Sequence, residues 1–176
     1  TEQAHVCLGL RGLSILHPDR FILNILNIVL GEGMSCRLFR EIRENLGLAY
    51  DIHSYVSHFK DSGSLVVYGG ISPKNVEPLI QAVLTELVKL KDNLVPETEL
   101  SKAKEMAKGR LLLRMEDSRS VSSWNGGQEI MLGKIKSVDE MVSIIEAITA
   151  DDLKRVAGDL VLSNGLNLAA VGPHLN

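Results

Sequence analysis

The sequence predicts an α+β fold, a mainly antiparallel sheet with helices packed on one face. Three observations carry this. Two strand-like segments follow each other directly through a short polar turn, five helical segments come after them, and a strand-like segment stands near each end of the chain. Strands joined by a tight turn pair antiparallel, and amphipathic helices must lay their apolar stripes on a common core.

Each element has a local reason. His5–Gly12 alternates, with Val6, Leu8 and Leu10 on one face and His5, Cys7, Gly9 and Arg11 on the other. His17-Pro18-Asp19 opens a helix, Pro being tolerated at its start and an acid favoured in its first turn. Its body, Phe21–Leu30, is apolar almost all round and is expected to be deeply buried. A short helix is expected over Ser35–Asn45, with Ser35 as N-cap and Gly47 at C′. Leu38, Phe39, Ile42 and Leu46 line one side of it; Arg37, Arg40, Glu41, Arg43 and Glu44 form the other, solvated one.

Strands Leu48–Phe59 and Ser64–Ile71 flank the turn Lys60-Asp61-Ser62-Gly63. Ser72-Pro73 opens an amphipathic helix to about Leu90, and another runs from Pro96 to roughly Met115. A third covers about Ser120–Leu132, after the polar patch Glu116-Asp117-Ser118. Ser137…Glu140 reads as a capping box, and Thr149…Asp152 as a similar cap for a helix to about Leu160. Leu166–Val171 is the last strand. No repeat or linker divides residues 1–176, so one domain is expected.

Composition removes several function classes. With 45% hydrophobic and 23% charged residues the chain is ordinary globular material rather than disordered. A net charge of −3 and a pI of about 5.9 lack the basic footprint of a nucleic-acid binder. The longest apolar run, Phe21–Leu30, is broken by Asn24 and Asn27 and falls far short of the ~18–20 residues that span a bilayer. Mean hydropathy of +0.10 is slightly high, which fits an apolar surface that meets another domain. The two cysteines, Cys7 and Cys36, form no disulfide framework; as buried thiols they point to the cytoplasm or another reducing compartment.

The motif search finds no catalytic set. The five histidines, His5, His17, His53, His58 and His174, include no i, i+4 pair and no H-x-x-E-H. His53 and His58 fall on opposite faces of an ideal strand. Gly31-x-Gly33 follows a helix rather than a strand, which suits a C-cap better than a phosphate loop. Ser35 and Ser72 are explained by capping, and no G-x-S-x-G occurs. Glu41/Glu44 and Asp151/Asp152 lie on expected helix surfaces or caps. What stands out is a basic short helix, with Arg37, Arg40 and Arg43, directly before a strand carrying Tyr50 and Tyr55. Arginine and tyrosine are both suited to donating hydrogen bonds to carbonyl or carboxylate oxygens.

At this stretch LGEGMSCRLFREIRENLGLAYDIHSY (Leu30–Tyr55) resembles the C-terminal half of pitrilysin-type zinc peptidases, a family that includes insulin-degrading enzyme, the mitochondrial processing peptidase and smaller bacterial relatives. EQAHVCLGLRGL, HPDRFILNILNIVLG, the KDSG hairpin, VPETELSKAKEMAKGRLL and LNLAAVGP fit as well, so the resemblance covers nearly the whole chain. It implies one half of a clamshell that closes around a chamber. In that family the N-terminal half carries the zinc through H-x-x-E-H and a distal Glu, and the C-terminal half carries no zinc ligand.

The resemblance further implies that Arg43 and Tyr50, seven residues apart in R-E-N-L-G-L-A-Y, hold an extended peptide substrate near the scissile bond. The cofactor would be zinc bound in the missing half, supplied by the same polypeptide or by a partner subunit. The chain alone is then expected to bind no catalytic zinc and to cleave nothing, and its orphaned interface would permit a homodimer. A non-catalytic partner or scaffold subunit of the same family is the alternative. On an ideal strand Tyr50 shares the core face with Leu48, Ile52 and Val56. Either a bulge at the strand start re-aims it, or the chamber face is itself partly apolar.

Overall fold

The computed structural model describes residues 2–162 and 165–173. In chain order it contains β1 (Ala4–Arg11), α1 (Arg20–Gly31), a π-helical segment (Phe39–Asn45), β2 (Ala49–His58) and β3 (Gly63–Ile71). A 3-10 turn (Pro73–Asn75) follows, then α2 (Val76–Asp92), α3 (Glu97–Arg114), α4 (Ser118–Leu132), α5 (Val138–Ala147), α6 (Ala150–Leu160) and β4 (Asn167–Val171). The sheet order is β2-β3-β1-β4, with every neighbour antiparallel. The α+β architecture expected from the sequence is therefore the one observed. His174 lies outside the described residues.

The strand alternation separates two faces. Ala4, Val6, Leu8 and Leu10 of β1, Leu65, Val67 and Ile71 of β3, and Ala49 and Ile52 of β2 are buried under the helices. α1 is buried from Leu23 to Gly31 apart from the polar Asn24, as an all-round apolar helix must be. Asn27, which seemed to interrupt the apolar run, is a buried strut. Ser54 Oγ donates to Asn27 Oδ1 at 2.7 Å, and Asn27 Nδ2 donates to the Glu32 carboxylate. Arg110 of α3 pairs with the other Glu32 oxygen. One polar chain thus joins the sheet, α1 and α3, and each buried polar group in it has a partner, as burial demands.

Gly31 lets α1 approach β2 this closely. A Cβ at Gly31 would stand 2.2 Å from Ser54 Oγ and 2.5 Å from Ser54 N. Both expected capping boxes are present, at Ser137/Glu140 and Thr149/Asp152.

Four local expectations need correction. Ser35 caps no helix; the Phe39 N–H donates to Cys36 Sγ at 3.4 Å instead, and the segment that follows is π-helical. Arg37 is not solvated, because its guanidinium makes a bidentate pair with Glu99 of α3 at 2.9 and 2.7 Å. Asp19 stands at the N-cap of α1 rather than in its first turn, and its carboxylate is held by Arg155 of α6 at 2.7 and 3.0 Å instead of capping the helix. Of the two cysteines only Cys36 is buried; Cys7 is half-buried on the helix-free face of the sheet.

Candidate functional site on the open face of the sheet

The helices cover one face of the sheet and leave the other open. β1 presents His5, Cys7, Gly9 and Arg11 there, β3 presents Ser64, Val66, Tyr68 and Gly70, and β2 presents Asp51, His53, Tyr55 and Ser57. All three tyrosines of the chain lie on this side, once the start of β2 is taken into account.

The pairing of β2 with β3 slips at that point. Ala49 faces Ile71 while Asp51 faces Gly70, so two steps on β2 match one on β3 and Tyr50 is the extra residue. A bulge of this kind bends the strand and re-aims one side chain. Ala49 and Ile52 consequently both reach the core, at 8% and 5% exposure, and Tyr50 is turned outward at 64%. Of the two sequence alternatives for Tyr50, the bulge is the one observed.

Arg43 is positioned by the π-helical segment. There the Leu46 N–H donates to Glu41 O five residues back, at 3.0 Å, and the Leu48 N–H donates to Ile42 O at 2.9 Å. Leu38 and Ile42 are driven fully into the core, which leaves Arg43 on the outside. Its guanidinium lies 4.9 Å from the centre of the Phe39 ring, a cation–π contact that restrains the side chain and leaves its N–H groups open to a ligand. Among the described residues no carboxylate pairs with it. Gly47 turns the chain towards β2 with φ +60°, a left-handed value that costs a side-chain-bearing residue energy. The Ile42–Leu48 hydrogen bond therefore ties the segment carrying Arg43 to the end of the sheet where β2 enters with Tyr50.

Further residues join the face that sequence reasoning did not select. His5 Nδ1 lies 2.7 Å from Tyr68 Oη, the His53 ring centre is 5.0 Å from that of Tyr68, and His53 Nδ1 is 3.3 Å from Asp51 Oδ1. Alternation put His5 on this side, but the β1–β3 register that brings it to Tyr68 is set by contacts more than 50 residues apart. His58, as expected, points the other way, with its ring nitrogens 2.6 Å from Leu13 O and 3.0 Å from Asn24 Oδ1.

A separate cleft lies elsewhere. A cleft of about 490 Å³ between the π-helical segment, α2 and α3 is lined by Arg37, Arg40, Glu86, Lys89, Glu99 and Lys102. Its main charges neutralise one another in the Arg37–Glu99 and Lys89–Glu86 pairs. Among the described residues no group of three or more His, Cys, Asp or Glu side chains could hold a metal ion.

The model of the peptidase M16 inactive-domain family matches residues 1–107. The chain belongs to that family. It is 39% identical over its full length to the uncharacterized zinc protease YmxG of Bacillus subtilis, covering 43% of that protein. It is 38% identical to an uncharacterized zinc protease of Streptomyces coelicolor, over 98% of this chain and 38% of the other. The chain thus spans less than half the length of these curated relatives. Among solved structures, a protease from Helicobacter pylori superposes with a TM-score of 0.90 at 23% identity, over 98% of this chain and 42% of that one. The peptidase M16 inactive domain from Pseudomonas fluorescens gives 0.89 at 18%, with the same coverage. A chain of Complex III2 from Candida albicans gives 0.85 at 19%, over 98% of this chain and 43% of that one.

Proposed function

We propose that residues 1–176 form the substrate-holding, C-terminal domain of a zinc metalloendopeptidase that cleaves peptides inside a closed chamber. A zinc-bearing N-terminal half, in the same polypeptide or in a partner subunit, completes it. The observation that carries this reading is the bulge that turns Tyr50 out of the core onto the open face, beside the segment that holds Arg43 exposed. Both side chains are donors with room for a ligand. An extended peptide crossing this end of the sheet offers them its carbonyl oxygens. Hydrogen bonds that shorten as negative charge grows on the attacked carbonyl raise the rate more than they raise affinity.

Exposed Leu112 and Leu113 on α3 and Ile130 on α4 support contact of the helical side with another half. The same surface would let the isolated chain self-associate. The free thiol of buried Cys36 is compatible with a reducing compartment such as the bacterial cytoplasm.

A second reading, a non-catalytic scaffold or partner subunit, draws support from the fold shared with the Complex III2 chain. A pure scaffold has no use for exposed Arg43 and Tyr50, and this favours the first reading. The test is peptide cleavage by the full-length protein and by its Arg43→Ala and Tyr50→Phe variants, with zinc content measured in each. A lower kcat/KM at unchanged zinc supports the proposal. Absence of cleavage by zinc-loaded wild type returns the chain to the scaffold reading. The isolated chain is expected neither to cleave nor to bind stoichiometric zinc.

A further inference from the structure

α4 stands apart from the rest of the helical layer. Among the described residues α1, α2, α3, α5 and α6 each bury side chains in the core, and α4 buries none. Its side chains hydrogen-bond no further away than Asp117 and Lys136, in the segments that flank it. Between α4 and α1 lies a groove of about 390 Å³. Trp124, Gly127 and Met131 line it from α4, Arg20 and Phe21 from α1, and Arg114 from the end of α3. Helices in proteins are held mainly by packing of an apolar face, and here that packing has a gap. His58 also lines the groove, so it lies at the far end of β2 from Tyr50, roughly 26 Å along the strand.

The fixed charges on the groove are of one sign. None of its described lining residues is acidic. The ion-paired arginines among the described residues are Arg37, Arg110 and Arg155, so neither Arg20 nor Arg114 has a carboxylate. Arg114 is exposed and has no hydrogen-bond partner among the described residues. Arg20 is half-buried; it donates to His17 O at 3.2 Å and stacks 4.1 Å from the centre of the Phe21 ring. Burial lowers its pKa from the ordinary value, yet a guanidinium stays charged at neutral pH and has five N–H groups to satisfy. These groups select the occupant. A cation would meet two like charges. A neutral apolar molecule would cover Arg20 without replacing the water on its free N–H groups. An anion with no apolar part would leave the surface of Trp124, Phe21 and Met131 wet. The volume falls at the low end of the about 300–1,000 Å³ of small-molecule sites. We infer that the groove between α4 and α1 binds a small organic acid, an apolar body ending in a carboxylate, which Arg20 and Arg114 hold while Trp124 packs against the body. This inference does not depend on the peptide-holding reading.

The test is isothermal titration calorimetry of the full-length protein with octanoate, 1-octanol and octylammonium, which share one apolar chain and differ in the head group. Octanoate should bind about tenfold tighter than octanol, the scale of hydrogen bonds to a charged group, and octylammonium should show no saturable binding. Tryptophan emission should change as octanoate is added, and Trp124→Phe should remove that change. Arg114→Gln should weaken octanoate about two- to fivefold, the scale of an exposed ion pair, and leave octanol unchanged. Arg20→Gln, at a half-buried charge, should weaken it about tenfold. Gly127→Leu, whose Cβ meets nothing within 4 Å, should fold normally and block octanoate by filling the groove.

Failure of octanoate to bind, equal binding of octanoate and octanol, or octanoate binding that survives Gly127→Leu overturns the assignment. Should Arg20→Gln lower Tm, the exposed Arg114→Gln decides the charge dependence by itself, and wild-type octanoate affinity in that variant overturns the role of the arginines.

Discussion

Gly31→Ala is a one-methyl change with a large expected cost, because α1 meets β2 at this residue. The added Cβ would fall 2.2 Å from Ser54 Oγ and 2.5 Å from Ser54 N. The hydroxyl can rotate away, but the backbone nitrogen cannot, so helix and strand must part by roughly 1 Å to restore normal contact. Such overpacking costs about 1–3 kcal/mol. Rotating Ser54 also breaks its 2.7 Å bond to Asn27 Oδ1, leaving a buried oxygen unpaired for about 1 kcal/mol more. The helix-propensity gain of alanine over glycine, at most about 1 kcal/mol, offsets part of this. A net loss of about 1–3 kcal/mol lowers Tm by about 2–12 °C for a chain of this length. Gly126→Ala and Gly127→Ala in α4 are the controls. Nothing lies within 4 Å of a Cβ at either position, so each should stabilise by about 0.5–1 kcal/mol. Thermal melts followed by circular dichroism decide it. A Gly31→Ala protein that melts with wild type would refute the close helix–strand contact that holds β2, and with it the support for the Tyr50 bulge.

Two further outcomes follow from the polar contacts. The Arg155 guanidinium holds the Asp19 carboxyl below its ordinary value of 3.8. A depressed acid stabilises the fold fully above that value and loses its contribution as pH falls through the folded value, below 3.8. Wild type should therefore exceed Asp19→Asn in stability by about 0.5–1 kcal/mol at pH 7, a small figure because the pair is partly exposed. The gap should narrow progressively as pH falls below 3.8 in urea melts at stepped pH; a gap that does not narrow with acidification would contradict the assignment. Burial pushes the Cys36 thiol up, while Cys7 is half-buried on the open face. In native protein at pH 7 a disulfide reagent should label Cys7 first and Cys36 only on unfolding, as read by mass spectrometry of digested protein. The reverse order would contradict this placement.

Much of the fold was legible because its signals are local. The Ser137/Glu140 and Thr149/Asp152 boxes, the Val6/Leu8/Leu10 face and the hairpin between β2 and β3 all depend on residues a few positions apart. What was not legible depends on distant partners. Arg37 looked solvated because Glu99, 62 residues on, could not be seen beside it. The π-helical segment replaces an ordinary helix because Leu38, Ile42 and Ala49 must all reach one core within a short span, and propensity does not report such a demand. Strict alternation sent Tyr50 inward; only the burial of both Ala49 and Ile52, three positions apart, shows that the strand must bulge between them. The His5–Tyr68–His53 cluster escaped for the same reason, since its members come from three strands whose register no single segment encodes.

The most direct measurement is kcat/KM for a flexible peptide with the full-length protein and its Arg43→Ala and Tyr50→Phe variants, alongside zinc content and Tm. Both side chains are exposed, so Tm and zinc should not move. Loss of a charged donor to the reacting carbonyl should lower kcat/KM about 10–100-fold for Arg43→Ala. Loss of a neutral donor should lower it about 3–10-fold for Tyr50→Phe. Wild-type kcat/KM in both variants would contradict a substrate-holding role for this end of the sheet.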